Sequence, residues 1–177
     1  HDMLARIDLD TYTPIPWQPN TARFAGDLYV DGKSHPYCPR TNLKRVLAQA
    51  KKKGYIFNVG MEPEHFLVSR NEDGSIEPWN PDQVDSLAKP CYDFRSMAPA
   101  MAYLQDLTSS LNQLGWGVYQ CDHEDANGQY EINFDYADAL TTADRVGKQG
   151  EYDCCHRHDN QQIDHASAHR SPIHPKI

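Results

Sequence analysis

The dipeptide Asn127-Gly128 sits in "HEDANGQYEINF" between two runs that alternate apolar and polar residues. Both positions of a tight type I′ turn need positive φ, so Asn-Gly is the strongest short-range hairpin signal a chain can carry. The pattern predicts strands over "WGVYQCDHE" and "QYEINFDY" joined there, and in a two-residue hairpin Glu124 and Glu131 face each other on one side of the sheet. Like charges directly opposite are destabilising. Upstream, "VGMEPEHFLV" interrupts an apolar run with Glu62 and Glu64. Residues two apart on a strand point the same way, so these two carboxylates share a face. Pro63 between them lacks an N–H, which suits a position outside a hydrogen-bonded ladder.

Structure alone explains four such carboxylates badly, whereas a divalent cation explains them well. Mg²⁺ and Mn²⁺ prefer carboxylate oxygen and keep open positions for phosphate. Two strands carrying Glu62, Glu64, Glu124 and Glu131 could hold two such ions, and the alternatives are a set of solvated edge residues or one buried acid with a hidden partner. His65 and His123 are further candidate ligands, though a lone histidine is more often structural.

The rest of the chain frames these segments. Strands are expected over 4–17 and 21–30, with Asp31-Gly32 as the closing turn. "TNLKRVLAQAKKKG" predicts a helix capped by Thr41, with Leu43, Val46, Leu47 and Ala50 on one face and Gly54 at its stop. "YIFNVGMEPEHFLVS" reads as a strand pair or one bent strand, and 71–95 as a turn-rich surface excursion. Residues 97–115 repeat Met97, Met101, Leu104, Leu107, Leu111 and Leu114 at the spacing of a buried helical face. "ADALTTADR" opens another helical pattern. From Val146 the character changes: residues 146–177 contain no Leu, Met, Phe or Trp but five of the nine histidines. Such a segment has too little apolar surface to build a core and is expected to be disordered or foreign to the fold. A His/Cys metal site in "CCHRHDNQQIDH" is the functional alternative there.

A net charge of −8 without a Lys/Arg stripe argues against nucleic-acid binding. No apolar run reaches the roughly 18 residues of a membrane span. The five cysteines are odd in number and form no C-x-x-C pair. They are expected to be reduced, mostly structural thiols, and the expected location is cytoplasmic.

Taken in order, these segments resemble the glutamine synthetases, from about Asp2 to Arg145. "DMLARIDLDTYTPIPWQPNTARFAGDLYVDG" is similar to the end of that family's N-terminal β-grasp domain, and "CPRTNLKRVLAQAKKKGYIFNVGMEPEHFLV" to the opening of its catalytic domain. "HEDANGQYEINFDYADALTTADR" resembles the family segment written His-Glu-Val, a turn, then Gly-Gln-Tyr-Glu. The resemblance implies an α+β fold, an antiparallel sheet with flanking helices. It divides the chain into 1–37 (end of the β-grasp domain), 38–145 (first half of the catalytic domain) and 146–177 (an unrelated tail).

It also implies an ATP-dependent ligase that phosphorylates the γ-carboxylate of glutamate and then forms an amide with ammonia or a small amine. Glu64, Glu124 and Glu131 would hold the Mg²⁺ or Mn²⁺ ion that organises glutamate and the ammonium pocket. Glu62 would serve a second ion bridging ATP phosphates, and Tyr136 would flank the nucleotide base. Family members work as homo-oligomers with the active site between subunits. Where the usual pattern has His-His-Glu, this chain has Asp122-His123-Glu124, wording closer to the glutamate–methylamine ligase subgroup. The family's further histidine ligand, its arginines for glutamate and phosphate and its flap glutamate match nothing here. The expectation is therefore a truncated chain, inactive alone, with a metal-binding fragment as the alternative and a tail produced by a shifted reading frame.

Overall fold

The computed structural model describes residues 2–81 and 83–147. In chain order its elements are β1 (Met3–Ile7), β2 (Thr13–Pro14), β3 (Ala22–Arg23), β4 (Gly26–Val30), β5 (Lys33–Ser34), α1 (Pro39–Lys52), β6 (Asn58–Val59), β7 (Glu64–Phe66), β8 (Val68–Arg70) and β9 (Ile76–Pro78). There follow α2 (Phe94–Met97), α3 (Met101–Gln113), β10 (Val118–His123), β11 (Gln129–Phe134) and β12 (Ala137–Asp138). Residues 139–147 are helical. Every described strand pairing is antiparallel, in sheets ordered β1-β4-β5 and β10-β11-β7 and in three two-stranded pairs. Among the described residues no helix is long and apolar enough to cross a membrane.

The core forms where α3 lies on the β10-β11-β7 sheet. Leu104, Leu107 and Leu111, at helical spacing, meet Tyr130, Ile132 and Phe134, which alternate on β11, with Trp116 filling the corner. One face of β11 is thereby committed to the core, so the residues between these three must point outward.

Several boundaries differ from those the sequence predicts. The helix expected from 97 begins earlier, because Asp93 caps α2 by accepting a hydrogen bond from Ser96 N at 2.7 Å. Ala98–Ala100 then tightens into a 3₁₀ turn at Pro99, which has no N–H to donate, before α3 resumes. Helix α1 starts at Pro39 rather than after Thr41. Proline's fixed φ suits the first helical position, and the Thr41 hydroxyl turns to the Cys38 sulfur at 3.3 Å. Its expected apolar face is half-buried, with Val46 exposed. The long strands expected over 4–17 and 21–30 are each broken, the first by a 3₁₀ turn at Leu9–Thr11. The 71–95 segment is tied inward: Asp85 and Pro90 are buried. Of the tail, Val146 and Gly147 continue the last helix, and the His/Cys segment lies outside the described residues.

The Asp31-Gly32 turn holds as expected. Both residues have positive φ (50° and 74°) and Val30 pairs with Lys33, the geometry of a two-residue primed hairpin. Asn127-Gly128 behaves differently. Gly128 has φ +70° while Asn127 is not among the positive-φ residues. The ladder ends with Glu124 N–H donating to Gln129 O, leaving residues 125–128 as a four-residue loop. Glu131 therefore faces Asp122, not Glu124, across β10.

Two cations of α1 help to join the N-terminal segments to the rest. Arg40 on α1, 11% exposed, contacts Asp8 at 2.9 Å, Asp27 at 3.2 Å and Asp144 at 3.0 Å. Lys44 pairs with Asp8 and Asp27 as well. Hydrogen bonds from Arg40 and Lys44 hold the Asp8 carboxyl below its ordinary value. At Asp27 burial opposes charge, but the same two donors outweigh it. Replacing Arg40 with Met leaves three carboxylates facing one lysine. It should lower unfolding free energy by about 3 kcal/mol in urea titrations at pH 7. Because both aspartates have depressed values, their contribution is complete above the unfolded value of about 3.9 and is lost as pH falls below it. The difference between parent and variant should therefore shrink below about pH 4.

Candidate metal centre

Glu64 on β7, Glu124 at the end of β10 and Glu131 on β11 point to the open face of the three-stranded sheet. Each offers a carboxylate oxygen, and the three oxygens lie within 4.8 Å of one another. Glu131 and Glu64 are direct cross-strand partners, and Glu124 joins them diagonally. The register differs by two residues from the one a tight hairpin predicts, and an even shift preserves the face. Glu124 thus reaches the same side by a different pairing.

A buried carboxylate shapes the loop that carries Glu124. Asp85 accepts hydrogen bonds from Gly128 N at 2.7 Å, from Asn127 Nδ2 at 2.8 Å and from His123 Nε2 at 2.8 Å. Asn127 Nδ2 also reaches the Asp85 and Leu87 carbonyls at 3.1 Å each. Asn127 is thereby pulled toward Asp85 rather than placed in a primed turn. A side chain at Gly128 would meet the Leu67 carbonyl oxygen at 2.8 Å, so the loop also requires that glycine sterically. Burial works against the charge on Asp85, yet Asn127, Gly128 and His123 overcome it and hold the carboxyl below its ordinary value.

His123 is buried on the core side, between Asp85 and the Glu124 carbonyl at 2.9 Å, and is a support for the loop rather than part of the cluster. His65 likewise turns inward, 3.1 Å from the Tyr103 hydroxyl. Glu62 is exposed, precedes β7 and lies outside the cluster. Tyr136 is 71% exposed, beside the backbone of Gly60.

The three glutamates form no ion pair among the described residues. Amides partly compensate them. Gln129 Nε2 donates to Glu64 at 2.5 Å, and Asn133 Nδ2 donates to Glu131 at 2.8 Å. Burial and the nearby charges of Glu131, Glu64 and Asp122 push the Glu124 carboxyl above its ordinary value. The same field reaches the rim, where burial and the carboxylates of Glu124 and Asp125 raise the Cys91 thiol. Three hard oxygen donors with excess negative charge fit a hard divalent cation such as Mg²⁺ or Mn²⁺. The sequence reading missed Asp85, Gln129 and Asn133. Gln129 and Asn133 were legible, since they alternate with Glu131 on β11; Asp85 carried no pattern.

The model of the glutamine synthetase catalytic domain matches residues 36–149. The chain belongs to the glutamine synthetase family. It is 46% identical over 143 residues to the glutamate–methylamine ligase of Methyloversatilis universalis, covering 81% of this chain and 32% of that protein. It is 40% identical over 144 residues to the glutamine synthetase of Rhizobium leguminosarum bv. phaseoli, with the same two coverages of 81% and 32%. Among solved structures, a GmaS/ADP complex superposes with a TM-score of 0.76 at 42% identity, over 84% of this chain and 34% of that one. A glutamine synthase homologue at 20% identity shares the fold with a TM-score of 0.63, over 85% and 34% of the two chains. The chain thus spans about a third of the length of these relatives.

Because Glu124 has a raised folded-state value, its ionisation opposes folding. Without divalent ions, the protein should lose stability as pH climbs from the ordinary glutamate value through the raised one. Glu124→Gln should remove that loss and stabilise the chelator-treated protein at pH 7.5 by up to about 1 kcal/mol. Thermal melts at pH 4.5 and 7.5 check this, and the gain should be smaller at the lower pH.

Proposed function

We propose that the protein to which this chain belongs is an ATP-dependent glutamate–amine ligase, and that Glu64, Glu124 and Glu131 bind one Mg²⁺ or Mn²⁺ ion in it. The convergence of three carboxylate oxygens within 4.8 Å, from two segments that also carry the family match, supports this reading. A divalent cation there supplies positive charge for positioning phosphate and carboxylate groups, the chief requirement of phosphoryl transfer. The chain's own part is to present the oxygens. Asn133 and Gln129 orient two carboxylates through their amides, and the Asp85 anchor fixes the loop behind the third.

In this reading the substrates are ATP, glutamate and an amine. Glu62 serves a second ion and Tyr136 flanks the nucleotide base, both assigned through the family resemblance. Residues 1–37 close a β-grasp domain, 38–145 open the catalytic domain, and 146–177 belong to neither. The enzyme works in the cytoplasm as a homo-oligomer. Ammonia is the acceptor the family suggests. Methylamine is the second reading, favoured by the higher identity to the methylamine ligase, 46% against 40% for the first glutamine synthetase. The 177-residue chain by itself is inactive in this reading, because no cluster of arginines for the transferring phosphate matches the family here. Loss of one such arginine can cost about 10³–10⁵ in rate.

The test is thermal melting with and without millimolar Mn²⁺, in a parent whose tail histidines (His156, His158, His165, His169 and His174) are replaced. The ion should raise the melting temperature of that parent and leave Glu131→Gln unchanged, since ligand binding to the folded state stabilises it by mass action. A parent indifferent to Mn²⁺, or a Gln variant equally stabilised, overturns the metal assignment. Incubation of the chain with glutamate, ATP, Mg²⁺ and either amine should release neither ADP nor amide.

A further inference from the structure

Beside the Asp85 anchor lies a cavity of about 450 Å³ whose wall includes Ser69, Glu77, Trp79 and Asn127. That volume lies within the range of small-molecule sites. Its position follows from the β8–β9 hairpin. Ser69 pairs with Glu77, and Trp79 N–H donates to Leu67 O at 2.9 Å, extending the ladder by one more pair. Residues two apart on a strand share a face, so Ser69, Glu77 and the half-buried Trp79 point together. Asn127 and Asp85 also line it, held by the hydrogen bonds that close the carboxylate loop.

The chemistry of this wall is one-sided. Among the described residues that line the cavity there is no Lys, Arg or His, while Glu77 and Asp85 are both present. Asp85 is already engaged by three donors. Glu77 is exposed and makes no ion pair among the described residues. An uncommitted carboxylate two residues from an indole, in a wall whose described residues include no cation, repels anions. It suits a small organic cation that lies against the ring and meets the carboxylate with its charged end.

We propose that this cavity is a binding site for a small alkylammonium-type cation, separate from the three-glutamate cluster, with Trp79 as the aromatic wall and Glu77 as the counter-charge. Asn127 belongs both to its wall and to the anchor of the Glu124 loop, so a ligand there contacts the element that positions one carboxylate of the cluster. The site stands on the cavity and its lining, independently of the ligase reading.

The probe is choline chloride, with the uncharged isostere 3,3-dimethylbutan-1-ol as control, followed in ¹H–¹⁵N spectra of the full chain in the presence of chelator. The Trp79 indole N–H signal, identified by its loss in Trp79→Phe, should shift saturably with choline and remain in place with the neutral alcohol. Glu77→Gln, at an exposed position, should weaken the titration by about tenfold, corresponding to the loss of the counter-charge. Glu131→Gln should leave it unchanged. No saturable shift at Trp79, an equal response to the alcohol, an undiminished response in Glu77→Gln, or loss of the response in Glu131→Gln would each overturn the proposal. The last outcome would place the cation on the three-glutamate face instead.

Discussion

Asp85 is the group on which the carboxylate face depends. A buried carboxylate is stable only when donors satisfy it, and this one collects an imidazole, a side-chain amide and a backbone N–H from residues 123–128. Those three donors fix the ends and the middle of the loop at once. The loop they enforce has four residues instead of two, and the strand register follows from it. A shift of one residue would have sent Glu124 into the core and His123 to solvent. The shift of two keeps the glutamate with Glu64 and Glu131 and the histidine against Tyr130, where the rings lie 5.0 Å apart.

The two faces of the β10-β11-β7 sheet divide the energetics. On the inner face, alternate residues of β11 pack against the leucines of α3, and that burial is the stabilising term. On the outer face the same strand lines up Gln129, Glu131 and Asn133 beside Glu64 and Asp122. Repulsion there is tolerated because the inner face has already fixed the register. The amides relieve it partly, since an amide donates to a carboxylate without supplying a charge.

How much of this could be read in the sequence depended on whether the signal was local. The leucines of α3 repeat at a period that only a helix satisfies, and the Asp31-Gly32 turn needs nothing beyond its own two residues. The same reasoning applied to Asn127-Gly128 gave the right element with the wrong turn, because a carboxylate 42 positions away competes for the asparagine. Parity nevertheless carried the face of Glu124 and Glu131 through that error. Parity does not extend to Glu62, because β7 begins only at Glu64 and Glu62 stands before the strand. Family resemblance supplied the chemistry, but not the loop anchor or the Trp79 cavity, neither of which has a sequence pattern of its own.

The strand bearing Glu64 is only three residues long and forms the edge of its sheet, whereas Glu124 and Glu131 belong to a hairpin of two six-residue strands. In the chain, Glu64 is 67 residues from Glu131 (131 − 64), while Glu124 is 7 residues from it (131 − 124). The hairpin can form early from local contacts, but the third carboxylate arrives only when a long loop closes, a step that is entropically unfavourable. The cluster is thus among the last features to assemble during folding and the first to come apart when the edge frays. A cation that needs all three oxygens would reinforce the least protected strand of the sheet without serving as the nucleus from which the sheet grows.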